Sequence, residues 1–247
     1  MISILCPVTY YHDNIFNAIN SVLSQTYKSW ELLIGYKDNL DENMIELNEF
    51  LTKWNINNNN RIKIYKYDTS LTKIDILNKL KEDSNYESEW IAVKDISDCW
   101  LYDKLSQQMF IAAGNEYSVI GTNYMLDDQF MKVGKKIPVR NISNINFLEM
   151  NPLINSSVII KKELCNWTNK WLYNEEYELF IILWMNKFKY YNLSNPYIQI
   201  NIDAYLHDKT PNKNYYKNSM INYYKTLIHS LGNKSSNSSF FLNQSCG

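Results

Sequence analysis

The 247-residue sequence is short of glycine and proline, with 6 and 5, and it holds only 4 cysteines and 3 histidines. Cys6, Cys99, Cys165 and Cys246 stand far apart and match neither a CxxC pair nor a Cys/His zinc spacing. That excludes a zinc module and reads as reduced thiols in a reducing compartment. A basic field is missing too: the formal net charge is -1, and Lys and Arg are scattered rather than striped. With a pI near 6.3, nucleic acid is not an expected partner. No run approaches the length of a transmembrane helix, and Met1-Ile2-Ser3-Ile4-Leu5-Cys6-Pro7 lacks the charged start and long apolar core of a signal peptide. The expectation is a soluble, cytoplasmic protein without a transmembrane segment. What is abundant is Asn, Lys, Ile and Tyr. Their A/T-rich codons point to an AT-rich genome, such as that of a large DNA virus, a protist parasite or certain bacteria.

The length suits one large domain with a sizeable core. Residues 2–6, 30–34, 62–67 and 90–93 read as strands, and 14–25, 44–54 and 73–81 carry apolar residues at helical spacing. Alternation of that kind predicts an α/β fold with a mostly parallel sheet and right-handed crossovers. The order then changes: a helix over 101–113 precedes short strands over 118–126, 131–134 and 153–160. A helix over 175–186, strands over 190–193 and 197–202, and a helix over 215–231 follow. The tail, 233–247, is rich in Ser and Asn and is expected to be mobile.

Within this pattern Trp90-Ile91-Ala92-Val93-Lys94-Asp95-Ile96-Ser97-Asp98 stands out, because an apolar run ends in two acids three residues apart. Carboxylates at the carboxyl end of a buried strand lie where open α/β sheets bind ligands, so they are candidates for holding a metal or a nucleotide. The same residue types make ordinary turns and caps, and Asp98 can equally cap a helix over 101–113.

Several segments, taken in order, resemble the family 2 glycosyltransferases of the GT-A fold over roughly the first 210 residues. The opening Ile2-Ser3-Ile4-Leu5-Cys6-Pro7-Val8-Thr9-Tyr10, with Ser21-Val22-Leu23-Ser24-Gln25-Thr26-Tyr27 after it, is similar to the family's first strand, proline loop and helix. The resemblance implies donor contact at Val8 and Thr9. The second strand of the family ends in a carboxylate that holds the base. Here Tyr36 stands in its place, so either Tyr36 stacks on a base, Asp38 supplies the carboxylate from a shifted turn, base recognition is lost, or Tyr36 is simply an exposed turn tyrosine. Lys73-Ile74-Asp75-Ile76-Leu77-Asn78 resembles a segment whose lysine sits at a helix start near the donor phosphates.

The strongest local match is Asp95-Ile96-Ser97-Asp98-Cys99-Trp100-Leu101, similar to Asp-x-Asp-Asp-x-Trp-Leu. It implies a ribose contact at Asp95 and a divalent metal (Mn²⁺ or Mg²⁺) at Ser97 and Asp98. Serine is a weaker, neutral ligand than the usual carboxylate. Asn151-Pro152-Leu153-Ile154-Asn155-Ser156-Ser157-Val158 matches a segment bordering the acceptor pocket, with Asn155 in place of a histidine. Glu175-Glu176-Tyr177-Glu178-Leu179 resembles Glu-Asp-Tyr-Asp-Leu, whose second acid is the catalytic base, which assigns that role to Glu176. Tyr205-Leu206-His207 resembles the carboxyl-terminal histidine motif, which implies metal or phosphate contact at His207.

The resemblance therefore implies a GT-A glycosyltransferase domain over 1–210, a Rossmann-like sheet with flanking helices and a small mixed β subregion. A carboxyl-terminal helix and polar tail follow over 211–247. The implied activity is inverting, metal-dependent transfer of a sugar from a nucleotide-diphosphate donor, foremost a UDP-sugar, to a hydroxyl of a glycan or protein acceptor. Departures at Tyr36, Ser97 and Asn155 leave open a catalytically impaired module that only binds a glycan, nucleotide or partner protein. A nucleotidyltransferase also needs carboxylates and metal around a nucleotide. Neither the sugar nor the oligomeric state follows from the sequence.

Overall fold

The computed structural model describes residues 1–56, 58, 60–127, 142, 145–149, 151–168, 170, 175–201 and 213–232. The order is β1 (Ile2–Val8), α1 (Ile15–Leu23), β2 (Trp30–Lys37), α2 (Asp41–Ile56), β3 (Ile62–Tyr67), α3 (Lys73–Glu82), β4 (Trp90–Val93) and β5 (Cys99–Trp100). Then come α4 (Lys104–Ala112), β6 (Val119–Asp127), β7 (Ile159–Lys161), α5 (Glu175–Met185), β8 (Tyr190–Asn201) and α6 (Lys213–Gly232). The strands form one eight-stranded sheet, ordered β3-β2-β1-β4-β7-β6-β8-β5. β1, β2, β3 and β4 are parallel, as are β6 and β8. β7 and β5 run antiparallel to their neighbours.

Strand alternation builds two cores. From β1, Ile2, Ile4, Cys6 and Val8 face one side, where they meet Ile15, Ile19 and Val22 of α1, Met44 and Leu47 of α2 and Leu105 of α4. Leu5 faces the other side, among Ile76 and Leu80 of α3, Leu179 and Phe180 of α5 and Met220 and Tyr224 of α6. A strand covered on both faces must be apolar throughout, and β1 and β4 are buried along their whole length. Each such aliphatic side chain contributes about 1.5–3 kcal/mol by leaving water. Among the described residues no helix is long and apolar enough to cross a membrane.

One close approach sets the position of α3. A Cβ on Gly35 would lie 2.7 Å from Tyr67 Cε2 and 2.8 Å from Ile76 Cγ2. Only a residue without a side chain lets the helix lie this near β2, and the start of that helix carries Lys73.

Three expectations from the sequence are corrected. Residues 153–160 do not form one strand: Asn155–Ser157 make a 3-10 turn and only Ile159–Lys161 join the sheet. The Ser157 N–H and hydroxyl both donate to Ile154 O, at 2.8 and 2.7 Å, so local bonding wins over a ladder. The helix expected from 101 starts at Lys104, because Cys99–Trp100 pair with β8 first. The two strands expected over 190–202 are a single strand, β8. The expected strand at 131–134 and the tail at 233–247 lie outside the described residues.

Candidate active site

The acidic turn follows β4, whose hydrogen bonding to β1 runs on through Lys94 N to Leu5 O at 2.8 Å. Asp95 Oδ1 accepts from Ser97 N at 3.0 Å and from Ser97 Oγ at 2.7 Å. Ser97 is buried, and its hydroxyl braces Asp95. From the loop before α1, Asn14 Nδ2 donates to Ser97 O at 2.9 Å. Asp98 is only 5% exposed. It does not cap α4: the residue before that helix is Asp103.

Beneath the turn lies Lys94, fully buried. Its ammonium donates to Asp95 O at 2.8 Å and to Asp98 O, so one cation ties both ends of the turn. The sequence reading overlooked it. The available signal was a lysine directly following a strand buried on both faces, where charged residues are rare unless paired. Lys104 is a second fully buried lysine, 4.0 Å from the Trp100 ring centroid and 2.9 Å from Gln108 Oε1. Burial pushes its ammonium well below the ordinary range, helped by the like charge of Lys94.

The two acids of the turn are driven apart. Burial, and then the charge of Asp95, push the Asp98 carboxyl up to about 7, against the pull of Lys94, a hydrogen bond with Ser156 and Lys73. At Asp95 burial acts upward as well, but Lys73, the Ser97 hydrogen bonds and Lys94 outweigh it, and the carboxyl lies below its ordinary value. Burial lowers the Lys94 ammonium, with Asp98 foremost among the groups opposing it. Tyr10, 48% exposed, stands over the same turn. Partial burial and then Asp95 raise its hydroxyl.

From two other segments come the remaining charges. Lys73 opens α3, whose capping box joins Thr72 and Asp75. Glu176 lies in the first turn of α5. The Lys73 ammonium and Glu176 Oε1 form an ion pair. Asn155 Nδ2, from the 3-10 turn, donates to the same oxygen at 3.3 Å. Residues remote in sequence, Lys73, Asn155 and Glu176, thus share one contact, with Asp95 within electrostatic reach of Lys73.

Other candidates fall elsewhere. Val8 and Tyr36, opposite each other at the ends of β1 and β2, are buried in the core. Stacking of a base on the Tyr36 ring is not available in this position. Thr9 and Asp38 are partly exposed. His207 lies outside the described residues.

Among the described residues no cluster of three or more His, Cys, Asp or Glu side chains is poised to hold a metal ion. Asp95 and Asp98 nevertheless fit a hard divalent cation. Both offer oxygen ligands, Mg²⁺ is commonly held by one or two carboxylates with phosphate oxygens completing the shell, and a cation would offset the burial and the Asp95 charge that raise Asp98.

No family model matches the chain. It is 26% identical over 195 residues to WfgD of Escherichia coli, a UDP-Glc:alpha-D-GlcNAc-diphosphoundecaprenol beta-1,3-glucosyltransferase, spanning 78% of this chain and 72% of that protein. With EpsE of Bacillus subtilis (strain 168) it shares 25% identity over 137 residues, 55% of this chain and 47% of that one. Among solved structures, S. aureus TarS 1-349 in complex with UDP superimposes with a TM-score of 0.65 and 13% identity, over 89% of this chain and 64% of that chain. The fold is GT-A-like. The chain is similar in sequence to glycosyltransferases, and it spans less than two thirds of EpsE and of TarS 1-349.

Proposed function

We propose that this chain is an inverting, metal-assisted glycosyltransferase of the family 2 type, which transfers a sugar from a UDP-sugar to a hydroxyl of a glycan acceptor. The observation that carries the reading is the meeting of Lys73, Asn155 and Glu176 beside the Asp95–Asp98 turn, at one end of a parallel sheet. Support for the donor comes from WfgD, whose name states a UDP-Glc donor.

In this reading Glu176 takes the proton of the acceptor hydroxyl while that oxygen bonds to the anomeric carbon. The bond from that carbon to the β-phosphate oxygen breaks on the opposite face, and UDP leaves with the electron pair. Asp95 would contact the ribose. Lys73 supplies a positive charge to the departing diphosphate, as fixed charge aimed at developing negative charge does. Asp95 and Asp98 would hold a divalent cation, which when bound neutralises the diphosphate. Asn155 keeps the Glu176 carboxylate oriented. Residues 1–210 would form the catalytic domain, with α6 and the tail appended.

Calorimetry against UDP- and GDP-sugars, with and without Mn²⁺, tests the donor, and Glu176→Gln tests the base. Donor binding retained with transfer abolished is the expected result. Full transfer by Glu176→Gln would remove the assigned base, and absence of all nucleotide binding would leave only an interaction module.

A further inference from the structure

We propose that Lys73 serves two half-sites in turn: in the resting protein its ammonium pairs with Glu176, and the diphosphate of an incoming donor draws it away, releasing the carboxylate. The inference rests on the reading of Glu176 as the base. It makes donor binding the step that frees the base.

Four observations carry it. The pair is not locked: the side chains of Lys73 and Glu176 are 31% and 23% exposed, and ion pairs open to water are held only weakly. A diphosphate brings more negative charge than one carboxylate, and it would arrive at the start of α3, where the helix dipole adds to its attraction. Thr72 and Asp75 already cap the helix end through reciprocal bonds, so the movable cation offered there is the lysine. Its charge also extends to the donor side, being the largest influence that lowers Asp95. Finally, Asn155 Nδ2 binds the same Glu176 oxygen at 3.3 Å. The carboxylate therefore keeps a partner that fixes its direction after the ammonium departs.

The consequence is a coupling between the two residues that a passive phosphate-binding lysine would not produce. Removing the charge of Glu176 spares the donor the work of breaking the pair, so a base-deficient variant binds nucleotide more tightly. Calorimetric titration of UDP into the wild-type chain, Glu176→Gln, Lys73→Met and the double variant tests this, first in EDTA and then with Mn²⁺. Glu176→Gln should bind UDP about two- to five-fold more tightly than wild type, and Lys73→Met more weakly. In the Lys73→Met background the gain from Glu176→Gln should disappear, which is the coupling a double-mutant cycle measures. If Glu176→Gln binds UDP no better than wild type while Lys73→Met still loses affinity, the lysine meets the phosphates without being shared and the proposal is overturned. If even the wild-type chain binds no UDP in either condition, the donor-site reading fails together with it. The two failures are thus told apart.

Discussion

Replacing Asp98 by Asn should change how stability depends on pH, and the direction follows from the turn. The carboxyl is raised from an ordinary value of 3.8 to about 7. Between those limits the folded chain holds a proton that the unfolded chain has lost. This contribution to stability is therefore complete below the ordinary value and is lost as pH rises through the folded one. The slope is about 1.4 kcal/mol per pH unit for one proton. From pH 5 to pH 8 the wild-type chain should lose about 2–3 kcal/mol through Asp98 alone, whereas Asp98→Asn keeps the volume and cannot lose the proton. Urea unfolding of both proteins at pH 5, 6, 7 and 8 reads the effect, since titrations away from the turn are shared. The variant's advantage in midpoint should grow by about 1 M urea across that range. An advantage that stays constant with pH would refute the electrostatic account of the turn.

Three other substitutions test separate parts of the structure. Gly35→Ala should destabilise by about 1–3 kcal/mol, the usual cost of overpacking, because its Cβ would meet Tyr67 and Ile76; an unchanged denaturation midpoint would show that α3 can retreat freely. Lys187 follows α5 with φ of 61°, with its N–H bonded to Trp184 O and that of Phe188 to Leu183 O, so Lys187→Gly should raise stability by up to about 1 kcal/mol in a thermal melt. Lys94→Met leaves the Asp95 and Asp98 carbonyls without their ammonium; a loss of about 2–4 kcal/mol with weaker UDP binding is expected, and wild-type affinity in a folded variant would remove Lys94 from the turn's support.

Much of the sheet was legible because its physics is local. β3 and β4 fall where alternation and a short apolar run place them, and α3 begins at the lysine that follows its Thr72 cap. β8 was misread because Ser194-Asn195-Pro196 carries turn residues. In the sheet, Pro196 pairs opposite Asn123 at a register shift in β6, and Asn123 Nδ2 bonds Ser194 O at 2.7 Å. A bulge absorbs what would otherwise end the strand. At the site, no spacing rule brings Lys73, Asn155 and Glu176 together; only the resemblance to a family singled them out, and long-range packing made their contact. Lys94 escaped because a lysine beside a turn reads as solvated, although its buried ammonium ties the two ends of the turn. The burial of Tyr36 was equally invisible, since a tyrosine after an apolar run reads as a turn residue until the strand runs on and its face joins the core with Leu40, Met44 and Leu47.

The claim at the centre of this account is sugar transfer with inversion, using Glu176 as base. Proton NMR of the sugar released from an α-linked UDP-sugar, followed from the first minutes in wild type and in Glu176→Gln, tests it most directly. The account predicts that the wild-type chain first forms the β-anomer, or a β-linked product when an acceptor is supplied, and that Glu176→Gln forms neither. First appearance of the α-anomer, or equal turnover by the variant, would contradict it.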